Sequence, residues 1–445
     1  VSKLKVGVVN LGCDKNRIDS EIIIGNLKET YEVVNEPENA DVILINTCGF
    51  IETSKQESID TILEMSRYKE NNQCKVLVAT GCLTQRYGNE LLELIPELDI
   101  ILGVNDYDKL NEAIERALDK GEKSCYTNYS DSNINSGKRI VTTGGTTAYI
   151  RISEGCNYQC AYCAIPKIRG KYRSRTIEDI VAEAKELAIN GYKEVILVAQ
   201  DTTNYGIDIY EGQKLHVLLQ ELSKIKSIKW IRVLYCYAEE LTDEIIDEFA
   251  SNDKVCKYVD IPVQHISDDI LRAMKRRGRK AIILENIEKL RRAIPNVVLR
   301  TSIIVGFPGE TEENFNELLE FARTVKFDKL GVFMYSQEEG TAAAEMGNQI
   351  DEEIKEERYH KLMALQQGIS AEVNKKKVGR IYEVLVEEKQ PGEYIGRNYE
   401  MSPEIDGEIF IKCDKIINMG EFINVKIVDA LEYDLIGEVV NNTNK

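Results

Sequence analysis

At 445 residues, with 43% hydrophobic and 30% charged side chains, the chain is too long for one core and ordinary in composition for a globular protein, so two or three domains are expected. No apolar run approaches the roughly 18 residues of a membrane span, and the first residues run into a strand-like segment without a signal-peptide layout, so no membrane partner and a cytoplasmic setting are expected. A net charge of −18 speaks against general nucleic-acid binding and for a basic partner, and eleven cysteines, an odd number, point to metal or redox chemistry rather than a disulfide framework.

In chain order, apolar runs at 6–10, 42–46 and 76–80 read as strands, accompanied by helices at 19–28, 54–68 and 90–94. This alternation predicts a parallel sheet flanked by helices. Residues 121–147, rich in Ser, Asn, Thr and Gly, read as a linker. Six more strands are expected at 149–153, 194–199, 230–235, 258–263, 298–305 and 330–335, separated by helical patterns such as 177–190 and 312–325. Six βα units predict a partial barrel rather than the full eight. Residues 351–377 read as a charged helix. Beyond Gly379, short strands at 381–386, 408–411, 422–430 and 435–440 predict a small antiparallel β-barrel. The expected fold is α/β, with an N-terminal parallel-sheet domain (1–122), a linker (123–147), a central partial (βα)6 barrel (148–375) and the C-terminal β-barrel (376–445).

Cys156, Cys160 and Cys163 form a C-x₃-C-x₂-C motif in a loop after the first barrel strand, where α/β folds place their sites. Three thiolates can hold three irons of a [4Fe–4S] cluster and leave the fourth open. A zinc knuckle, the plainer alternative, requires a fourth protein ligand, and no second CxxC or nearby His supplies one. Cys13, Cys48 and Cys82 each follow an apolar strand and have Gly12, Gly49 and Gly81 beside them, which let backbone approach a bulky ligand. Any one alone reads as a buried core thiol. Three in the same strand-to-loop placement predict a second [4Fe–4S] cluster. Cys74, Cys125, Cys236, Cys256 and Cys413 show no comparable pattern and read as small, buried or semi-exposed thiols.

The cysteine motif on a six-unit barrel resembles the radical S-adenosylmethionine superfamily. With the second triad and the terminal β-barrel, nearly the whole chain resembles its methylthiotransferase family, whose C-terminal module is the TRAM domain. The stretch 11–16 with Asp19, Ser20 and Glu21, the stretch 200–206, Pro262 to His265, and Arg397, Asn398 and Tyr399 resemble the branch that modifies an aspartate of small-subunit ribosomal protein twelve. Asp14 and Ala238 stand where that branch usually has proline. The resemblance implies two uses of S-adenosylmethionine, radical formation at Cys156, Cys160 and Cys163, and methylthio transfer to the aspartate β-carbon. It also implies an electron donor such as flavodoxin or ferredoxin, and ribosomal protein twelve, free or in the subunit, as partner. The alternatives are the branch acting on an adenosine of tRNA and, from another class, a non-catalytic iron–sulfur carrier or scaffold. Charge separates the first two. From Arg380 to Lys445 seven Lys or Arg face fourteen Asp or Glu, and this net −7 suits a basic protein better than a phosphate backbone.

Gln200, Asp201, Gln264 and His265 stand at strand ends facing the expected pocket and are candidates for cofactor or substrate contact, with a structural hydrogen bond the plain alternative for His265. Thr311 reads as a helix N-cap, and the turn before it as a wall of the cofactor pocket or an ordinary turn. The basic run 275–280 reads as a solvated helix end or as a contact to ribosomal RNA or a substrate carboxylate.

Overall fold

The computed structural model describes residues 3–70, 73–129, 138–413 and 416–440. Two compact units emerge. The first comprises Val1–Thr142, Glu154–Arg173 and Ser336–Ala344; the second comprises Thr143–Ser153, Ser174–Tyr335 and Glu345–Lys445. Among the described residues, no helix is long and apolar enough to cross a membrane.

The first unit is built on β1 (Lys5–Asn10), α1 (Asp14–Leu27), β2 (Glu32–Val34), β3 (Val42–Thr47), α2 (Glu52–Glu70), β4 (Val76–Gly81), α3 (Cys82–Leu94), β5 (Ile100–Leu102), α4 (Leu110–Lys120) and β6 (Ser124–Tyr126). The strands lie in the order β2-β1-β3-β4-β5-β6, and every neighbouring pair is parallel. Both faces are covered, which is why the strands read as unbroken apolar runs. Val42, Leu44, Val76 and Val78 join one core, and Ile43, Ile45, Leu77 and Ala79 the other. The chain steps from β1 out to β2, then back across β1 to β3. That reversal opens a crevice at the carboxyl ends of β1 and β3, where doubly wound sheets bind ligands.

Three expectations for this unit are corrected. α1 begins at Asp14, not residue 19, and α3 begins at Cys82, not residue 90, with a kink at Gly88 (φ 38°). The start of α1 was hidden because its buried face is polar: Asn16, Asp19, Ser20 and Glu21 are all buried. The stretch read as a linker contributes β6, paired in parallel with β5, while residues 130–137 of it lie outside the described residues.

Along the chain follow β7 (Thr147–Arg151), the two-residue segments β8 (Ser153–Glu154) and β9 (Arg173–Ser174), and between those two the short α5 (Ile165–Arg169). The second unit's sheet combines β7 with β10 (Glu194–Val198), β11 (Trp230–Val233), β12 (Val255–Asp260), β13 (Val298–Val305) and β14 (Lys329–Met334). Its six strands run parallel in chain order. Helices α6 (Ile177–Ile189), α7 (Leu215–Ser223), α8 (Asp243–Ser251), α9 (Asp268–Ala273), α10 (Lys280–Ala293) and α11 (Glu312–Val325) fall between them, as the partial barrel requires. Thr311 caps α11 in a reciprocal capping box with Asn314. α12 (Glu352–Lys375) leads to the terminal barrel.

That barrel closes in the order β15 (Ile381–Gln390), β16 (Glu393–Arg397), β17 (Ile409–Lys412), β19 (Leu435–Val439), β18 (Phe422–Ala430). The all-antiparallel expectation is corrected at one pair, since β17 runs parallel to β19. β16 was not foreseen. Gly396 and Arg397 break its pattern, yet a Cβ on Gly396 would strike the Leu385 carbonyl at 2.5 Å, so close strand approach requires glycine there. Arg397 is buried because Glu194 of β10 (2.7 Å) and Glu387 of β15 (2.6 Å) pair with it, while Arg232 of β11 grips the other Glu194 oxygen at 2.9 Å.

Candidate functional site

Cys13 is the N-cap of α1, Cys48 follows β3, and Cys82 opens α3 behind Gly81. Because β1, β3 and β4 are immediate neighbours, their carboxyl ends lie side by side. Helix amino ends favour the thiolate forms of Cys13 and Cys82. A Cβ on Gly12 would stand 2.9 Å from the Cys48 Cβ and 3.2 Å from its sulfur. Gly81 (φ 107°) admits no side chain either, since a Cβ there would meet the Thr47 carbonyl at 2.4 Å. Cys48 is pinned by Ser58, which accepts its N–H at 3.0 Å and donates to its carbonyl at 2.8 Å.

Burial pushes the Cys82 thiol up to about 12; Arg169 opposes this, and the charges of Cys13 and Cys48 add to it. Cys13 reaches solvent, yet the protein packed beneath it still raises its thiol pKa, against Lys15. Three thiolates so placed repel one another, and a polynuclear iron centre relieves that repulsion.

The second triad lies in the segment Glu154–Arg173, which belongs to the same compact unit. Cys156 and Cys160 are buried and Cys163 half-buried. The Cys156 N–H donates to the Gly170 carbonyl (3.1 Å), and the Cys163 N–H to the Cys160 carbonyl (3.0 Å). The Tyr158 N–H points at the Cys156 sulfur at 3.4 Å, the donor pattern that supports a cluster thiolate. Gly155 (φ 78°) is obligatory, since a Cβ there would lie 2.1 Å from the Lys171 carbonyl. All eleven cysteines are free. Among the described residues no three His, Cys, Asp or Glu gather tightly enough for a single metal ion. The donor chemistry and the glycine cradles fit iron–sulfur clusters at both triads.

Several residues carry this unit that sequence reasoning did not single out. Arg169, at the end of α5, donates to Asp19 (2.8 Å), Glu154 (3.2 Å), the Asn16 side-chain oxygen (2.8 Å) and the Cys82 sulfur (3.5 Å). Glu338, from Ser336–Ala344, pairs with Lys55 and Arg86, both at 3.1 Å, and Arg86 also donates to the Gly49 carbonyl next to Cys48. The Ala343 N–H donates to the carbonyl of Ala161, beside Cys160, at 2.8 Å. The only sequence signal for Arg169 was an arginine before a glycine just past the CxxC, too weak to stand alone.

The other candidates lie in the second unit. Gln200 and Asp201 follow β10, and Gln264 and His265 follow β12. Gln264 (φ 69°), like Tyr235 (φ 62°) after β11, adopts left-handed backbone, strain that concentrates at functional edges. His265 is fully buried. Its Nδ1 accepts the Ser267 N–H (3.0 Å), so the proton sits on Nε2, 3.6 Å from Glu310. Glu310 in turn accepts from Gly306 and pairs with Arg358. These contacts are those of a structural histidine that shapes the turn before α11. The basic run is mostly a solvated helix end: Arg276 is buried and stacks on Tyr237 (4.4 Å), while the exposed Arg277 and Lys280 reach Glu240 and Glu317.

Asp201 is buried, and this raises its pKa to about 6 even though Thr203 and Asn204 donate to it. The folded chain therefore holds this proton more tightly than the unfolded chain, whose carboxyl titrates at 3.8. The group's stabilising share is complete below that value and is lost as pH rises through about 6. Asp201→Asn should flatten the fall in thermal midpoint between about pH 4 and pH 6; an unchanged slope would exclude Asp201 as its source.

Comparison with known proteins accords with this architecture. Residues 5–103 match a model described as uncharacterized protein family UPF0004, residues 150–322 the radical SAM superfamily, and residues 378–440 the TRAM domain. Fold and site thus define a transferase of the radical S-adenosylmethionine class. Two curated proteins match over their full lengths and all of this chain: the ribosomal protein uS12 methylthiotransferase RimO of Clostridium acetobutylicum, 59% identical over 445 residues, and that of Clostridium novyi, 60% over 443. The chain belongs to the RimO family of ribosomal protein uS12 methylthiotransferases. Among solved structures, a radical S-adenosylmethionine methyltransferase, TsrM from Kitasatospora setae, covers 83% of this chain and 89% of its own at TM-score 0.57 and 13% identity, a likeness of fold.

Proposed function

We propose that this chain transfers a methylthio group to the β-carbon of an aspartate in ribosomal protein uS12, using two [4Fe–4S] clusters and two molecules of S-adenosylmethionine. The observation that carries the reading is the presence of two cysteine triads in one compact unit, with Arg169 bonded to the Cys82 sulfur of one and to Glu154, two residues before the other. Cys13, Cys48 and Cys82 hold one cluster, and Cys156, Cys160 and Cys163 the other. Bound there, the clusters and S-adenosylmethionine would supply one-electron cleavage to a 5′-deoxyadenosyl radical and the methylthio sulfur. The chain's own part is to fix its thiolates, orient the substrate carboxylate and exclude water. Gln200, Asp201, Gln264 and His265, at the carboxyl edge of the barrel sheet, are the residues assigned to polar contacts with cofactor or substrate, His265 being held by Ser267. Along the chain the domains run from the N-terminal sheet domain, which extends past residue 122 to take in β6, to 148–375 and 376–445, while Glu154–Arg173 and Ser336–Ala344 pack into the N-terminal unit. The setting is cytoplasmic, and the electron donor is a flavodoxin or ferredoxin.

Surface charge supports uS12 over tRNA. On the terminal barrel Glu383, Glu387, Glu388, Glu404, Glu408, Glu421, Asp429, Glu432 and Glu438 are exposed, against the exposed cations Arg380, Lys389, Lys412 and Lys426, while Arg397 is buried. Glu408 has a raised pKa, from burial and then from Asp434, Glu388 and Glu387, so these four carboxylates lie near one another. Such a patch repels phosphate and attracts a basic protein. Incubation with uS12 and, separately, with tRNA, followed by mass analysis, tests the assignment. Methylthio on the uS12 aspartate is expected; methylthio on a tRNA adenosine instead would refute it.

A further inference from the structure

Arg169 is the one side chain described above that touches a cluster thiol and is itself held by groups from both cysteine segments. Its side chain is 2% exposed. One guanidinium edge meets Asp19 of α1 and Glu154, two residues before Cys156; the other meets Asn16 and the Cys82 sulfur. Asn16 is itself fixed, donating to the carbonyls of Leu11 (2.9 Å) and Thr47 (3.0 Å), each beside or near a cysteine of the N-terminal triad. The guanidinium therefore has little freedom to leave the sulfur. Its planar fork meets four acceptors at once, which an ammonium cannot do.

An N–H donor and a positive charge beside a cluster sulfur stabilise the more negative, reduced state, and burial strengthens the effect. Asp19 and Glu154 act in the opposite sense, since each carboxylate offsets part of the guanidinium charge. We propose that Arg169 is a positioning residue that raises the reduction potential of the iron–sulfur group held by Cys13, Cys48 and Cys82, with Asp19 as the counter-charge that limits the rise. The assignment rests on the two-cluster reading above.

The test uses the full chain with Cys156, Cys160 and Cys163 replaced by Ala, so that only the N-terminal group contributes signal. Potentiometric titration is followed by electron paramagnetic resonance of the reduced cluster. Arg169→Gln should lower the reduced-to-oxidised ratio at fixed ambient potential at least tenfold, about 59 mV for a one-electron couple. Asp19→Asn, near-isosteric, should raise it. A residue that merely braces the fold would not move the potential in opposite directions at two contacting positions. Should Arg169→Gln fail to retain iron, the rise in Asp19→Asn alone decides the matter. Iron present with an unmoved potential, or both variants shifting the same way, overturns the role of Arg169. A background chain that takes up no iron overturns the two-cluster reading itself.

Discussion

Cys160→Ala should abolish 5′-deoxyadenosine formation and reduce the iron of the reconstituted protein from about eight to about four per chain, as expected for loss of one of two [4Fe–4S] clusters. The reasoning is local. Cys160 is buried, its carbonyl accepts the Cys163 N–H at 3.0 Å, and the loop offers no fourth cysteine to take its place. The N-terminal triad is untouched by the substitution, because the backbone that carries it is held at the ends of β1, β3 and β4 by Ser58, Asn16 and the glycines at 12 and 81. Iron analysis and chromatography of the nucleoside product check both halves. Retained cleavage would remove Cys160 from the cluster, and wild-type iron near four would remove the second cluster altogether.

The second large effect concerns stability. Glu194 is fully buried and is the shared acceptor for Arg232, Arg397 and Thr147. Glu194→Gln leaves two guanidiniums facing each other without their common counter-charge. Breaking a buried ion network in this way costs about 3–5 kcal/mol. Glu387, the more exposed partner of Arg397, should matter far less, with Glu387→Gln costing about 1 kcal/mol or less. Denaturant midpoints of the two variants read the contrast. Equal midpoints would mean that the network does not tie β10 and β11 to the terminal barrel.

What could be read from the sequence follows from how each residue is buried. Val42 to Thr47 and Val76 to Gly81 are covered on both faces, so they appear as apolar runs, and the cysteines after them declare themselves as strand-end residues. Arg169, Glu154, Asn16 and Asp19 are equally buried but polar, and hydropathy assigns such residues to the surface. Their burial becomes visible only when their partners are known, and for Arg169 two of these, Asp19 and Asn16, lie 150 and 153 residues away. The same blindness delayed α1 to residue 19 and hid β16, whose Arg397 is buried by pairing. The three-residue strands β2, β5 and β6 were too short for periodicity to register. His265 was legible as a polar residue just past a strand, but its approach to Glu310 was not, because it joins the loop after β12 to the turn before α11.

The compact unit holding both triads is discontinuous, and this has a consequence for synthesis. Cys13, Cys48 and Cys82 leave the ribosome early, but the unit is completed only by Glu154–Arg173 and then Ser336–Ala344. At about 5–20 residues per second, tens of seconds separate the first thiols from Glu338. During elongation Arg169 and Glu338 are not yet in place, and the N-terminal cysteines wait without the side chains that bury and orient them. On the two-cluster proposal, assembly at this triad would be completed only after nearly the whole chain has emerged, and its thiols would depend on reducing surroundings until then.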